Sequence, residues 1–371
     1  MSRKILFVAS LHHPDALQAA VDHTPPDTPK PLFPPSVLQH FWEHALRRRG
    51  YTLDIFYRNL PASGRVQAHH HREGITPGKV MAAIAHRLPP EANPEYHRRN
   101  QRLIRQALDF QPDILWLVGD NTVIYPDTLA HIKQATGCKL IYASGTSPIV
   151  FSRPIERRAA PLYDLVLVND YYHGIQWLEL GAPRMACLPL TAVDPAFHHP
   201  YEPASAAVCD ISFVGTLVPA SLYSHRVQSL LSLTEFDLGI WSVHDVPAEL
   251  RPYMRGPALG ETMLRALSGS KLTINAHGNF MHYGGNMRLF EAAGVGVLQL
   301  TEDLPGVHQW FTPGENIVTF TDDADLYRKA AHYLKHDAER ETMAQRAREH
   351  VYAHHTYDQR VQQFEALLES Q

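Results

Sequence analysis

Between Tyr283 and Gly296 the chain reads YGGNMRLFEAAGVG, with Arg288 and Glu291 three residues apart just beyond the glycine pair Gly284 and Gly285. Residues at that spacing share one face of a helix, so a cation and a carboxylate would project together. A helix start offers unpaired backbone N–H groups and the positive end of its dipole, which suits an anion such as a diphosphate. The amides near Gly285, Asn286 and Met287 are candidates to grip one, and the two glycines remove side chains that would block its approach. Arg288 would then face phosphate while Glu291 accepts from ribose hydroxyls. An ordinary surface salt bridge has the same spacing, so the rest of the chain must decide.

The elements that would position these groups follow from apolar patterning. Short continuous apolar runs alternate with helical segments, the mark of βα units around mostly parallel sheets covered on both faces. In the first half the runs are KILFVA from Lys4, TLDIFY from Thr52, DILWLV from Asp113, KLIYAS from Lys139, DLVLVN from Asp164 and RMACLPL from Arg184. A second series follows the proline-punctuated stretch from Pro195 to Pro203: DISFVG from Asp210, FDLGIW from Phe236, KLTINA from Lys271, GVLQLT from Gly296 and NIVTF from Asn316. That stretch reads as an interdomain connection. Val37, Leu38, Phe41, Trp42, Ala45 and Leu46 lie on one helical stripe that Gly50 would end. Two segments break the rhythm, the proline-rich DHTPPDTPKPLFPPS from Asp22 and the His-, Pro- and Gly-rich stretch from about Pro61 to Pro94. The first leaves the functional edge of a parallel sheet and is a candidate substrate contact or a surface insertion.

Composition narrows the function classes. At 371 residues the chain exceeds one ordinary core, so two domains are expected. With 34 basic and 38 acidic residues there is no basic field for nucleic acid. No apolar run approaches the ~18 residues that span a bilayer, and MSRKILFVAS lacks the features of a signal peptide, so a cytoplasmic location is expected. Cys138, Cys187 and Cys209 show no paired spacing and read as buried thiols. The 24 histidines include His12-His13, His69-His70-His71 and His354-His355, yet none has the carboxylate-completed spacing of a metal site. No metal is expected.

Together, DISFVG, the basic helix carrying Arg226, KLTINAHGNF, GGNMRLFEAAGVGVLQLTEDLPGVHQWFTPGENIVTF and the terminal HHTYDQR resemble the CgeB-type, spore-protein-like branch of group 1 glycosyltransferases, from about Asp210 to Arg360. The resemblance implies the α/β GT-B architecture, two Rossmann-like domains facing a central cleft. An acceptor-side domain would occupy residues 1–195 and a donor-binding domain 205–355, with a C-terminal helix, 356–371, crossing back to the first. It further implies that Glu291 binds the donor ribose, that the Gly285–Met287 amides cradle the pyrophosphate, and that Arg288 meets phosphate or braces the loop. Arg226, on the helix after Gly215 and Thr216, matches a phosphate-binding cation; Lys271, Asn275 and His277 are further donor-side candidates. Better-studied relatives carry a second glutamate eight residues before the ribose-binding one, where it touches the transferred sugar. Here that position is Tyr283, which can hydrogen-bond but offers no carboxylate charge, so sugar recognition must differ or activity be weak or lost.

The chemistry so implied is glycosyl transfer from a nucleotide-diphosphate sugar, a co-substrate, to a glycan or small-molecule acceptor, with no cofactor. Arginines and helix-start amides can stabilise the leaving diphosphate without a metal. In the expected retaining reaction the leaving phosphate accepts the acceptor's proton. Inversion would need a general base, for which His12 or His13 after the first strand are placed, with Asp120 and Asp170 as alternates. A nucleotide-sugar epimerase of the same architecture and a noncatalytic sugar-nucleotide or glycan binder remain as alternatives.

Overall fold

Each apolar run named above is a strand in the computed structural model, which describes residues 3–60, 92–203 and 208–370. His69-His70-His71 and most of the segment after Pro61 lie outside the described residues. The first sheet holds β1 (Lys4–Ala9), β2 (Thr52–Tyr57), β3 (Ile114–Val118), β4 (Lys139–Ser144), β5 (Leu165–Val168) and β6 (Met185–Cys187) in the order β2-β1-β3-β4-β5-β6. The second holds β7 (Cys209–Val214), β8 (Leu238–Trp241), β9 (Met254–Gly256), β10 (Ser270–Asn275), β11 (Leu298–Glu302) and β12 (Val318–Phe320) in the order β12-β11-β10-β7-β8-β9. All these pairings are parallel. Continuous hydrophobicity is the reason: Ile5, Leu6, Phe7 and Val8 are all buried, which only a strand covered on both faces requires.

The chain divides into two compact units, residues 1–168 with 173–187, and residues 169–172 with 188–371. The change of unit therefore falls ahead of the Pro195–Pro203 stretch. Leu188, Leu190, Ala192 and Val193 are buried, and a Cβ on Gly294 would meet Val193 and His198 at 2.9 and 3.1 Å. Val193 and His198 thus pack on the Arg288–Val295 helix, and residues 188–198 belong to the second unit. The terminal helix Tyr357–Glu369 also groups with this unit, and its Arg360 Nε donates to the Thr191 carbonyl at 3.2 Å.

In the first unit the Leu38–Arg48 helix buries Phe41, Trp42, Ala45 and Leu46, and Gly50 follows it at φ 84° with its amide on Arg47 O. An unanticipated helix, Pro14–Asp22, fully buries no residue, and its short stripe of Leu17, Ala20 and Val21 is only half-buried. The proline-rich stretch after it is pinned: the buried Glu43 carboxylate accepts from the Leu32 and Phe33 amides at 2.9–3.1 Å.

Strand order reverses between β1 and β3, whose carboxyl ends form the switch point of this sheet. The buried Arg58 donates there to the carbonyls of Val8 at 3.3 Å and Val118 at 2.6 Å. Burial pulls its pKa down to about 10, against the opposing charges of Asp120 and Glu156, and it stays a cation. The adjoining turn puts Asp120 at φ 43°, a left-handed conformation rare for a non-glycine residue. Glu156, 1% exposed, fixes that turn by accepting from the Asn121 amide at 3.1 Å, and from the Tyr142 hydroxyl.

Burial pushes the Glu156 carboxyl up to about 7 from an ordinary 4.5. A group that holds its proton more tightly when folded contributes stability below its unfolded pKa that is lost as pH rises through the folded one. Wild-type melting temperature should therefore fall between pH 4.5 and 7, and Glu156→Gln should flatten that part of the profile. Melting curves at pH 5 and pH 7.5 check this: the variant should gain several degrees on wild type at the higher pH relative to the lower.

Candidate functional site

In the second sheet the switch point lies between β7 and β10. Gly215 and Thr216 follow β7, and Ala276 and His277 follow β10. Arg226, from the Ala220–Leu231 helix, spans the gap: Nε donates to Ala276 O at 2.8 Å and one terminal nitrogen to Thr216 O at 2.7 Å. Its guanidinium lies 4.8 Å from the Tyr223 ring centre and 5.5 Å from that of Phe213. Burial lowers its pKa to about 10, with Tyr223 and Glu302 pulling the other way, so the charge persists at neutral pH. Gly215 leaves room for this packing, because a Cβ there would come within 2.9 Å of the Phe213 ring.

Asn275, the last residue of β10, accepts through Oδ1 from Asn286 Nδ2 at 2.7 Å. Asn286 in turn accepts from the Leu289 amide at 3.2 Å, so one side chain caps the Arg288–Val295 helix and ties it to the strand end. His277 is buried against Glu302 at the end of β11: its amide donates to both carboxylate oxygens at 2.9–3.0 Å, and Nδ1 lies 2.6 Å from Oε2. Burial alone would raise the Glu302 pKa; the His277 charge and its hydrogen bonds outweigh that and lower it. Among the described residues, Asn275 Nδ2, His277 Nε2 and Arg288 Nε are buried without a partner. Three such nitrogens, two of them donors and the third an imidazole nitrogen that can donate or accept, suit an anionic or hydroxyl-rich ligand.

The loop before that helix is held with little freedom. Gly284 and Gly285 adopt φ 96° and 104°. A Cβ on Gly285 would collide with the Asn169 carbonyl and approach the Trp310 ring to 2.6 Å, so internal packing already demands glycine here. The fully buried Asp170 carboxylate accepts from the Tyr172 amide at 3.0 Å, His282 at 3.0 Å and Tyr283 at 2.8 Å, and Tyr283 O accepts from the Gly306 amide at 2.7 Å. The amides of Gly285, Asn286 and Met287 form no hydrogen bond among the described residues. One turn on, Arg288 and Glu291 pair at 2.7 Å with Glu291 only 6% exposed.

The second unit thus brings together Gly215, Thr216, Arg226, Asn275, His277, Tyr283, Gly284, Gly285, Asn286, Met287, Arg288 and Glu291 along linked strand ends and one helix start. Lys271 is not among them. It stands near the start of β10, four residues and about 13 Å from Asn275 at strand rise, and pairs with Asp210 at 2.8 Å. His12 and His13 follow β1 in the first unit and are exposed; His13, at φ 54°, precedes the Pro14–Asp22 helix. Partial burial lowers the His12 pKa, as do Arg58 and His13, while Asp120 opposes them. Asp170 has both oxygens committed to backbone amides and is a loop clamp, unsuited to accept a substrate proton. His355 is likewise structural: Nε2 meets Trp310 O at 3.1 Å, Nδ1 accepts from Arg360 at 3.0 Å, and burial, with the Arg360 charge, lowers its pKa to about 3. Glu302 and Trp310 were not read as site residues and Asp170 only as an alternate base, since each acts on a partner distant in the chain.

These two parallel-sheet units have the GT-B fold. Residues 224–366 match the family described as glycosyl transferase-like. Among solved structures the chain is similar to HepE from Anabaena in complex with UDP-glucose, at 13% identity over 99% of this chain and 100% of that one, with a TM-score of 0.61. It is similar to sucrose-phosphate synthase from Thermosynechococcus elongatus at 13% identity, over 99% of this chain and 98% of that one, with a TM-score of 0.62. A glycosyltransferase from Rickettsia africae gives 11% identity, 99% and 97% coverage and a TM-score of 0.62. No curated protein matches. Family match and fold support a glycosyltransferase. No described helix is long and apolar enough to cross a membrane.

The clamp and the glycine make a joint prediction. Asp170→Ala strands three amides and Gly285→Ala forces a collision, so each should cost about 1–3 kcal/mol or more and lower the melting temperature. Conservative Asp170→Asn, which keeps one acceptor oxygen, should lose less than Asp170→Ala in the same melts.

Proposed function

We propose that this chain transfers a hexosyl group from a nucleoside-diphosphate sugar to a glycan or small-molecule acceptor, with retention and without a metal or other cofactor. The observation that carries the reading is the set of unbonded Gly285, Asn286 and Met287 amides at a helix start, one turn from the buried Arg288–Glu291 pair. The diphosphate sits on those amides with Arg288 and Arg226 as counter-charges, and Glu291 accepts from the ribose. Two cations and three oriented N–H groups meet the charge that develops on the leaving phosphate, the role a metal fills elsewhere. The UDP-glucose bound by HepE is the kind of donor this arrangement suits. We place the reaction in the cytoplasm, where the three free cysteines stay reduced.

An inverting reaction would instead need a base, for which His12, whose pKa is lowered chiefly by burial, is the candidate. The anomeric configuration of the product, read by NMR, decides between the two.

Titration calorimetry with UDP, GDP and dTDP tests the donor site. One of them should bind, Arg288→Ala and Glu291→Ala should each weaken it by tenfold or more, and Lys271→Ala should leave it within about twofold. Binding should be unchanged by a chelator. Failure of every nucleotide to bind would overturn the reading.

A further inference from the structure

We propose that Tyr171, Tyr172 and Tyr283 form a stacking surface for a pyranose ring beside the phosphate grip. The inference rests on the nucleotide-sugar reading above and adds where a sugar is held. Tyr171 and Tyr172 are each 43% exposed. Their rings lie 5.7 and 6.0 Å from that of Tyr283 and 6.3 Å from each other, and Tyr283 is backed edge-on by Trp310 at 5.9 Å. Grouped exposed aromatics are costly to leave in water, whereas a ligand with one apolar face covers them.

The cluster is preorganised. One buried carboxylate, Asp170, binds the amides of Tyr172, His282 and Tyr283, so both chain segments that carry the rings are fixed by the same side chain. Little freedom is then lost when a ligand arrives. The rim is polar: the Tyr283 hydroxyl donates to the exposed Gln309 at 2.6 Å, leaving the carboxamide nitrogen of Gln309 for ring hydroxyls. A pyranose presents that combination, a C–H face to stack and equatorial hydroxyls at its edge.

Order along the chain says which end of the donor this is. Along the sequence Tyr283 precedes the Gly285–Met287 amides and Glu291 follows them. With ribose at Glu291 and diphosphate on the amides, the group beyond the second phosphate points toward the tyrosines. The ring held there is either the donor's sugar or a sugar of the acceptor.

The test uses the full-length protein and calorimetry with UDP, UDP-glucose, UDP-galactose and UDP-N-acetylglucosamine, and with maltose added to UDP-saturated protein. Tyr171→Ala and Tyr172→Ala should weaken the preferred UDP-sugar about tenfold while UDP affinity stays within twofold, and the Phe variants should restore wild-type binding. Loss confined to UDP-sugar identifies the donor ring, and loss confined to maltose the acceptor ring. Ala variants that melt like wild type and bind every sugar probe like wild type overturn the surface, as do Phe variants as weak as Ala. Wild-type protein that binds UDP but gains nothing from any attached or added sugar overturns it alone. Wild-type protein that binds none of UDP, GDP and dTDP overturns the nucleotide-sugar reading and the surface with it; where GDP or dTDP is the one that binds, its sugars replace the UDP-sugars as probes.

Discussion

Where a parallel sheet switches direction, two adjacent strands end side by side while their chains leave for opposite faces, and the carbonyls at their tips lose the partners a longer strand would give. Arg226 answers that constraint in the second unit by donating to Thr216 O and Ala276 O at once. The planar guanidinium reaches two acceptors in fixed directions while lying on aromatic faces, which an ammonium group does not. The rest of the site follows from the strand ends it holds: Asn275 positions Asn286, Asn286 caps the helix, and the helix carries Arg288 and Glu291. Arg58 does the equivalent in the first unit with Val8 O and Val118 O. In both, a desolvated cation stands at the edge of the sheet where substrates of such folds bind.

The glycine pair has a meaning that chemistry alone does not supply. Gly285 is pressed between a carbonyl and an indole, and the Trp310 carbonyl is in turn held by His350 and His355, with Arg360 on the far nitrogen of His355. The histidine and arginine of the terminal HHTYDQR motif therefore support the helix-start loop from behind. Neutral His355 suits this, since its two ring nitrogens serve as one donor and one acceptor.

Much of the fold was legible because buried parallel strands have to be continuously apolar. β9 escaped because Met-Arg-Gly is three residues long with an exposed centre, and the Pro14–Asp22 helix because its apolar stripe is short and only half-buried. Of the candidate site, the Arg288–Glu291 pairing was legible because local spacing makes it. Lys271 was grouped with it on charge, although a residue that begins a parallel strand lies at the edge opposite the one where Asn275 ends it. Asp170 could be read as a strand-end carboxylate and no more, because the amides it binds are 112 and 113 residues away. The Pro195–Pro203 stretch looked like a connection because proline marks irregular backbone, whereas the division between the units falls earlier, at Leu188.

The tight seating of Gly285 has a consequence for how such a protein changes over time. Any side chain there meets backbone on one side and a ring on the other, so the inner wall of the loop offers selection almost no acceptable variants. The exposed Gln309 and the two exposed tyrosines carry no such restriction. Drift toward a new substrate is thereby channelled to the outer lip, and an ancestor and its descendants can differ there while sharing an unaltered interior.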